Sequence, residues 1–395
     1  MDKLRVGIIG VGSVVREIYQ HLYFKSDFTH LLDIQAVAAP NDQFREWFCN
    51  TFNIPKERRF TDYKEMISKV GLDAVQVNTP DHIHAKPAID ALNAGLDALV
   101  PKPTASTIKD AHAMIEAVRK TGRLMGVDFH KREDPRIKEV EARYQSGRYG
   151  RFQVAVWYML DKLMVADPNH QPRFFASADF AEKNSPISFL TVHMADAFIK
   201  IAGLKPVEVR ATGSSHKMPS LSPIAVKGFD LVDTEIRFEN GGTAHIITGW
   251  HLPNTAHSTT VQSSRIICEN GMVDLGIDTP GVHELHPDGI FEINPLFRNF
   301  EKNGNVSGYG ISSPGRIYQK FLAGRNGRLD DATRADMLSP VELGFYTTLV
   351  LEGAEESLRQ GKPAGPGVTG GQAIKLKALL EREIGSAAAA YSIPE

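Results

Sequence analysis

Apolar positions fall into two arrangements along this chain. In the first third, short unbroken apolar runs alternate with stretches of helical period. Arg5 to Ile9, Asp33 to Ala39, Asp73 to Asn78, Leu96 to Val100 and Leu124 to Phe129 read as strands. Their runs are continuous, as expected of parallel strands buried on both faces. Between them the pattern predicts helices from Ser13 or Val14 to about Phe24, Gln43 to Phe52, Ala85 to Ala94 and Thr107 to Thr121. Another helix opens at Asp62, whose cap is completed by Glu65. Strands alternating with helices predict a doubly wound parallel sheet.

Beyond about residue 128 the arrangement changes. Strand-like runs follow one another: Gln153 to Tyr158, Pro206 to Thr212, Asp233 to Phe238, Thr243 to Trp250, Val261 to Cys268 and His283 to Leu285. Glu239-Asn240-Gly241-Gly242 and Glu269-Asn270-Gly271 are hairpin turns between neighbours. This predicts an α+β domain on a large, mainly antiparallel open sheet. The expected division is 1–128 and 129–395. A helix from Asn184 or Ser188 to Ala202 carries His193 and Asp196 at i, i+3, on one face. Ser339-Pro340-Val341-Glu342 reads as a helix start, with the helix running to Gln360. Lys362 to Gly371 reads as loop, Gln372 to Ile384 as a last helix, and the Ala-rich tail as frayed.

Chemistry enters at the strand ends. The first strand runs into Gly10-Val11-Gly12-Ser13-Val14-Val15 and then a helix, the form of a dinucleotide-binding βαβ unit. Gly10 permits the tight turn. Gly12 leaves room for a pyrophosphate at the helix N-terminus. The fingerprint's third glycine is Val15 here. The second strand ends Ala38-Ala39-Pro40-Asn41-Asp42, so the acid that holds a ribose is absent from Ala39; Asn41 or Asp42 must serve, or Arg45 meets a 2′-phosphate. Both NAD and NADP remain open. The third strand ends in Thr79-Pro80-Asp81-His82-Ile83-His84, and the next delivers Pro101-Lys102-Pro103. These are the ends at which ligands bind in open α/β sheets. Lys102, fixed between two prolines, is a candidate to exchange protons at neutral pH.

Composition narrows the classes. The 395 residues are 42% apolar and 23% charged, with a formal net charge of -2 and no basic stripe, which argues against nucleic-acid binding. Cys49 and Cys268 fit no ligand or redox spacing. No apolar run approaches the ~18 residues of a membrane span. With no secretory pattern at the N-terminus, a cytoplasmic location is expected. His82 and His84 are joined by no converging ligand set, so no metal site is expected.

Gly10-Val11-Gly12, Asn78-Thr79-Pro80-Asp81-His82-Ile83-His84 and Lys102-Pro103, in this order, resemble the Gfo/Idh/MocA family (glucose–fructose oxidoreductase and myo-inositol dehydrogenase-like proteins). So do His193-x-x-Asp196 and the ending Glu342 to Gly361. The resemblance implies an N-terminal Rossmann domain and an NAD(P)-dependent oxidation of a secondary hydroxyl on a sugar, sugar derivative or cyclitol, or the reverse reduction. It implies a homodimer or homotetramer through the C-terminal sheet. By position it makes Lys102, His193 and Asp196 catalytic, and gives Thr79, Pro80 and His84 to the cofactor-lining turn. Arg132, Tyr158, His251, Trp157 and Trp250 are further candidates for the substrate cleft. Departures from the family pattern are Pro101 for a glutamate, Phe189 for an acid four residues before His193, Asn184-Ser185-Pro186 for a Gly-rich segment, and Ala39. They leave a second reading, a dinucleotide- or sugar-binding regulator of weakened catalysis, and a third, an imine or diketone reductase.

Overall fold

The computed structural model describes residues 3–175, 177–277, 282–286 and 289–395. The chain forms two compact units. One runs to Asp134 and takes back Leu296–Phe345; the other comprises Pro135–Pro295 and Tyr346–Glu395. The boundary expected at 128 therefore lies at Asp134, and 296–345 belongs to the first unit. The reason is apolar burial. Helix Tyr309–Arg325 contributes Ile311, Tyr318 and Phe321 to the core that holds Leu4, Val6 and Ile8.

The first unit is built on six parallel strands: β1 (Leu4–Ile9), β2 (Leu32–Ala38), β3 (Arg59–Phe60), β4 (Ala74–Val77), β5 (Asp97–Pro101) and β6 (Met125–Asp128). Their order is β3-β2-β1-β4-β5-β6. Strands β4 and β6 are buried at every position, which explains their unbroken apolar runs. The order reverses between β1 and β4, opening a crevice at their carboxyl ends. The helix expected after β1 is present but not uniform: a π-turn covers Val15–Tyr19, and regular α-helix follows over Gln20–Phe24. Val15, standing where the fingerprint has glycine, is fully buried at the start of that wider turn.

The second unit carries a nine-stranded sheet whose main path is β12-β11-β7-β10-β9-β8 followed by a terminal hairpin. Its strands are β7 (Phe152–Lys162), β8 (Pro206–Ser214), β9 (Leu231–Phe238), β10 (Thr243–Leu252), β11 (Thr260–Cys268) and β12 (Gly271–Gly276). Only β7 and β10 pair in parallel among these. Val282–His286 pairs with Gly289–Ile293 as a separate hairpin. Helix Val192–Ala202 lies on one face of the large sheet, where Phe198 meets Phe152, Trp157 and Phe238.

Three expectations fail toward the C-terminus. The helix expected from Ser339 begins only at Phe345. Ser339 Oγ does accept from Glu342 N–H at 3.1 Å, but Gly344 at φ 66° breaks the helical path. Lys362–Gly365 and Val368–Gly370 form a hairpin rather than a loop, and the second strand pairs with β8. The Ala-rich tail is packed: Gly385–Tyr391 is 3₁₀ helix with Ala388 and Tyr391 buried, and Tyr346 donates its hydroxyl to Tyr391 O at 3.0 Å.

Candidate functional site

A cleft of about 550 Å³ opens at the carboxyl ends of β1, β2 and β4, lined by Gly10, Ala38, Pro40, Thr61 and Thr79 among others. Gly10 N–H donates to Ala38 O at 2.8 Å, and Asn78 N–H to Ile9 O at 2.6 Å, which draws the three strand ends together. Gly10 has φ 86°, and a Cβ there would stand 2.9 Å from Asn78 O. Gly12 is the opposite case: a Cβ there meets nothing within 4 Å. The space beside its backbone is what a pyrophosphate needs. Thr79 Oγ1 is buried with no hydrogen-bond partner among the described residues, a polar atom left for a ligand to satisfy. These observations fit a dinucleotide along the crevice, with Ser13 and Val14 in the first turn beyond Gly12.

The ribose end departs from expectation. Asn41 is the N-cap of helix Asp42–Thr51, its Oδ1 accepting from Phe44 N–H at 3.0 Å. Asp42 is 78% exposed and pairs with Arg45 at 2.7 Å. Arg45 also donates to Ala39 O at 2.7 Å. The three polar residues expected to meet a ribose or its phosphate are thus engaged in holding the turn after β2. Helix capping, strongly preferred for Asn, is the competing force.

Lys102 is half-buried in the turn after β5, and its peptide bond to Pro103 is cis. The turn is held from behind. His84 is fully buried, its Nε2 3.0 Å from Thr104 O, and burial lowers its pKa so that the ring is neutral. His84 therefore supports the Lys102 turn instead of lining the cleft, whereas Thr79 does line it and the neighbouring Pro80 is exposed. Thr104 Oγ1 donates to Leu343 O. Arg132 donates to Glu342 O at 2.6 Å and Val341 O at 2.7 Å, with its guanidinium over the Phe129 ring. Its guanidinium, expected at the substrate, fastens the 341–342 turn.

Sequence reasoning missed two groups beside this turn. Asp128 ends β6 opposite Pro101 and is buried. Burial lifts its pKa to about 6, although Ser313 Oγ, at 2.6 Å, and Tyr19 OH, at 2.8 Å, both donate to it. His130 stacks against Tyr309, ring centroids 5.9 Å apart, and packs on Phe297. Burial, with the charges of Lys131 and Lys102, holds its pKa well below the ordinary value, so the ring is neutral. An acid closing an apolar strand was the available signal.

In the second unit, helix Val192–Ala202 presents His193 and Asp196, both buried. Thr347 Oγ1, from helix Phe345–Arg359, donates to Asp196 Oδ1 at 3.2 Å. A π-turn over Ile187–Thr191 leads into the helix and is tied to β10 by Thr191 Oγ1 and Thr248 Oγ1, 2.8 Å apart. Phe189 packs among Phe175, Phe180 and Trp250, so an aromatic cluster occupies the place of the family's acid. Trp157 and Trp250 are core residues. Tyr158 faces away: Trp157 takes the helix side of β7, and alternation turns Tyr158 to the outer face, 38% exposed. His251 is exposed as well.

Among the described residues no cluster of His, Cys, Asp and Glu is placed to hold a metal, and no helix is long and apolar enough to cross a membrane. Cys49 and Cys268 are free, buried thiols.

Residues 4–129 match the family model described as an oxidoreductase family with an NAD-binding Rossmann fold, GFO_IDH_MocA. The chain is 24% identical over 258 residues to D-glucoside 3-dehydrogenase of Escherichia coli, covering 63% of this chain and 71% of that protein. It is 25% identical over 293 residues to inositol 2-dehydrogenase of Corynebacterium glutamicum, covering 74% and 78%. In fold it is similar to the crystal structure of scyllo-inositol dehydrogenase from Lactobacillus casei with bound NAD(H) and scyllo-inositol, at TM-score 0.72 and 16% identity, covering 95% of this chain and 99% of that one. The six-stranded sheet and the open Gly12 agree with that match: residues 4–129 are similar to the NAD-binding Rossmann part of the Gfo/Idh/MocA oxidoreductases.

Proposed function

We propose that the protein is an NAD(P)-dependent dehydrogenase of a sugar, sugar derivative or cyclitol, interconverting a secondary hydroxyl and its ketone. The observation that carries the reading is the crevice at the β1/β4 reversal, with free space at Gly12 and an unsatisfied Thr79 hydroxyl on its wall. The substrate class follows the glucoside and inositol dehydrogenases among the relatives. The bound nicotinamide supplies the hydride donor or acceptor.

The chain's own residues do the remaining work. Gly10 and Gly12 admit the dinucleotide backbone. Lys102, held by His84 and Thr104, lowers the pKa of the substrate hydroxyl by charge and hydrogen bonding. His193 takes the hydroxyl proton, and Asp196, steadied by Thr347, orients it or the substrate. Positioning supplies much of the rate, since reacting atoms need about 3–3.5 Å separation. The outer sheet face of the second unit, where Val154, Tyr158 and Ile267 are exposed, is the surface for a homodimer or homotetramer.

The test is absorbance at the reduced-nicotinamide band with a panel of hexoses, glycosides and inositols and either oxidised dinucleotide. Turnover of at least one polyol is expected. Dinucleotide binding without turnover of any would turn the reading toward the regulatory alternative.

A further inference from the structure

Beside the glycine turn after β1 stands a cation that no carboxylate among the described residues answers. Strand β2 ends at Ala38, and Ala39 follows, both buried, before the exposed Pro40. No acid therefore stands at the strand end where NAD-type units hold the ribose diol and repel a phosphate. The charges farther along are matched: Asp42 by Arg45 at 2.7 Å, and Glu46 by Arg59 at 2.6 Å. Asp62 caps its own helix, accepting from Lys64 N–H at 2.9 Å.

Arg16 is different. It lies one helical turn beyond Gly12, and its guanidinium carbon stands 4.5 Å from the centroid of the Phe44 ring. Nη2 is 3.5 Å from Ser13 Oγ. Among the described residues no carboxylate pairs with it. Phe44 belongs to the first turn of the helix that follows β2, so its ring face holds a cation between the pyrophosphate turn and the end of β2. Gly10 N–H, bonded to Ala38 O at 2.8 Å, fixes those two segments against each other. A planar guanidinium suits a phosphate monoester, which takes parallel hydrogen bonds from it; it gains far less from a ribose hydroxyl.

We propose that the dinucleotide is NADP(H) and that Arg16 receives its adenosine 2′-phosphate. The inference rests on the dehydrogenase reading and adds the choice of cofactor. Arg45, already engaged by Ala39 and Asp42, takes no part.

Titration of the full chain with NADPH and NADH, followed by calorimetry and by fluorescence of the reduced ring, decides it without any substrate. NADPH is expected to bind at least about tenfold tighter, the effect of one charge-assisted contact. Arg16→Ala should weaken NADPH by about tenfold and leave NADH within about twofold. Arg16→Gln, which keeps most of the packing on Phe44, should do the same, and a melting curve for each checks the fold. Ala39→Asp should reverse the preference. NADH binding as tightly as NADPH to the unaltered protein would overturn the proposal. So would equal weakening of both by Arg16→Ala, since Arg16 would then be holding the pyrophosphate common to both. If neither dinucleotide binds the unaltered protein, the dehydrogenase reading itself falls.

Discussion

The two units make their candidate groups available in different ways. In the first, the candidate site is mostly backbone: a glycine with positive φ, a glycine beside open space, and a proline-flanked turn buttressed by a buried histidine. In the second, the candidate groups are side chains on one helix, and their placement depends on packing around that helix. Each helix is preceded or opened by a π-turn, over Val15–Tyr19 and Ile187–Thr191, next to the residues singled out for function. A site made of backbone tolerates little substitution but needs few partners. A site made of helix side chains can keep its fold while losing its chemistry. That contrast sets what each substitution should do.

The largest effects belong to the groups assigned to the proton. Lys102→Ala should lower turnover with polyols by at least ~100-fold, the size of one lost acid/base group, while dinucleotide affinity persists. His193→Gln should cost about as much with the second unit's melting behaviour preserved, because glutamine keeps most of the volume. Steady-state kinetics beside dinucleotide titration read both. Full turnover in either variant removes that residue from the mechanism.

Next comes the buried Asp128, whose carboxyl sits at about 6 against an ordinary 3.8. The folded state holds its proton more firmly than the unfolded chain. The stability this gives is complete below about pH 3.8 and is lost as the pH rises to about 6. Asp128→Asn has no such titration. Its unfolding free energy relative to the unaltered protein should therefore rise by ~3 kcal/mol between acid and neutral pH, two pK units' worth. Urea denaturation of both proteins at a series of pH values measures this. A difference flat with pH would mean that the carboxyl titrates normally.

Glycine substitutions sharpen the contrast within the first unit. Gly10→Ala meets Asn78 O and a positive φ, so it should lower stability by about 2 kcal/mol. Gly12→Ala meets nothing and should leave melting unchanged, yet weaken either dinucleotide by about tenfold, because its methyl would enter the space proposed for the pyrophosphate. If Gly12→Ala binds dinucleotide normally, the open space there is not the cofactor's.

The first unit was the more legible one in sequence, for a physical reason. Parallel strands buried on both faces leave unbroken apolar runs, and a backbone site leaves glycine and proline at fixed places. Gly10, Gly12, Thr79 and the Lys102 turn were visible on those grounds. What escaped was the competition for side chains: Asn41 is taken by a helix cap, Arg45 by a carbonyl, and His84 by Thr104 O. In the second unit His193 and Asp196 were visible through helical spacing. The terminal hairpin was hidden by its glycines and prolines, which also spell loop, and its pairing with β8 is set by tertiary contact.

The smallest expected effect tests strand parity. Tyr158 is a substrate-cleft candidate from the sequence, as is its neighbour Trp157. Alternation permits only one of the two to face helix Val192–Ala202, and Trp157, fully buried against Phe198, has that side. Tyr158→Phe removes a hydroxyl from the outer face, where it pairs across to Ser263 and Ile247 positions of β11 and β10. Turnover and dinucleotide affinity should stay within about twofold of the unaltered protein, and stability within about 0.5 kcal/mol, as for exposed substitutions generally. A large loss of turnover would mean that the outer face of this sheet takes part in the reaction, and the division between a helix-covered functional side and an outer assembly side would have to be abandoned.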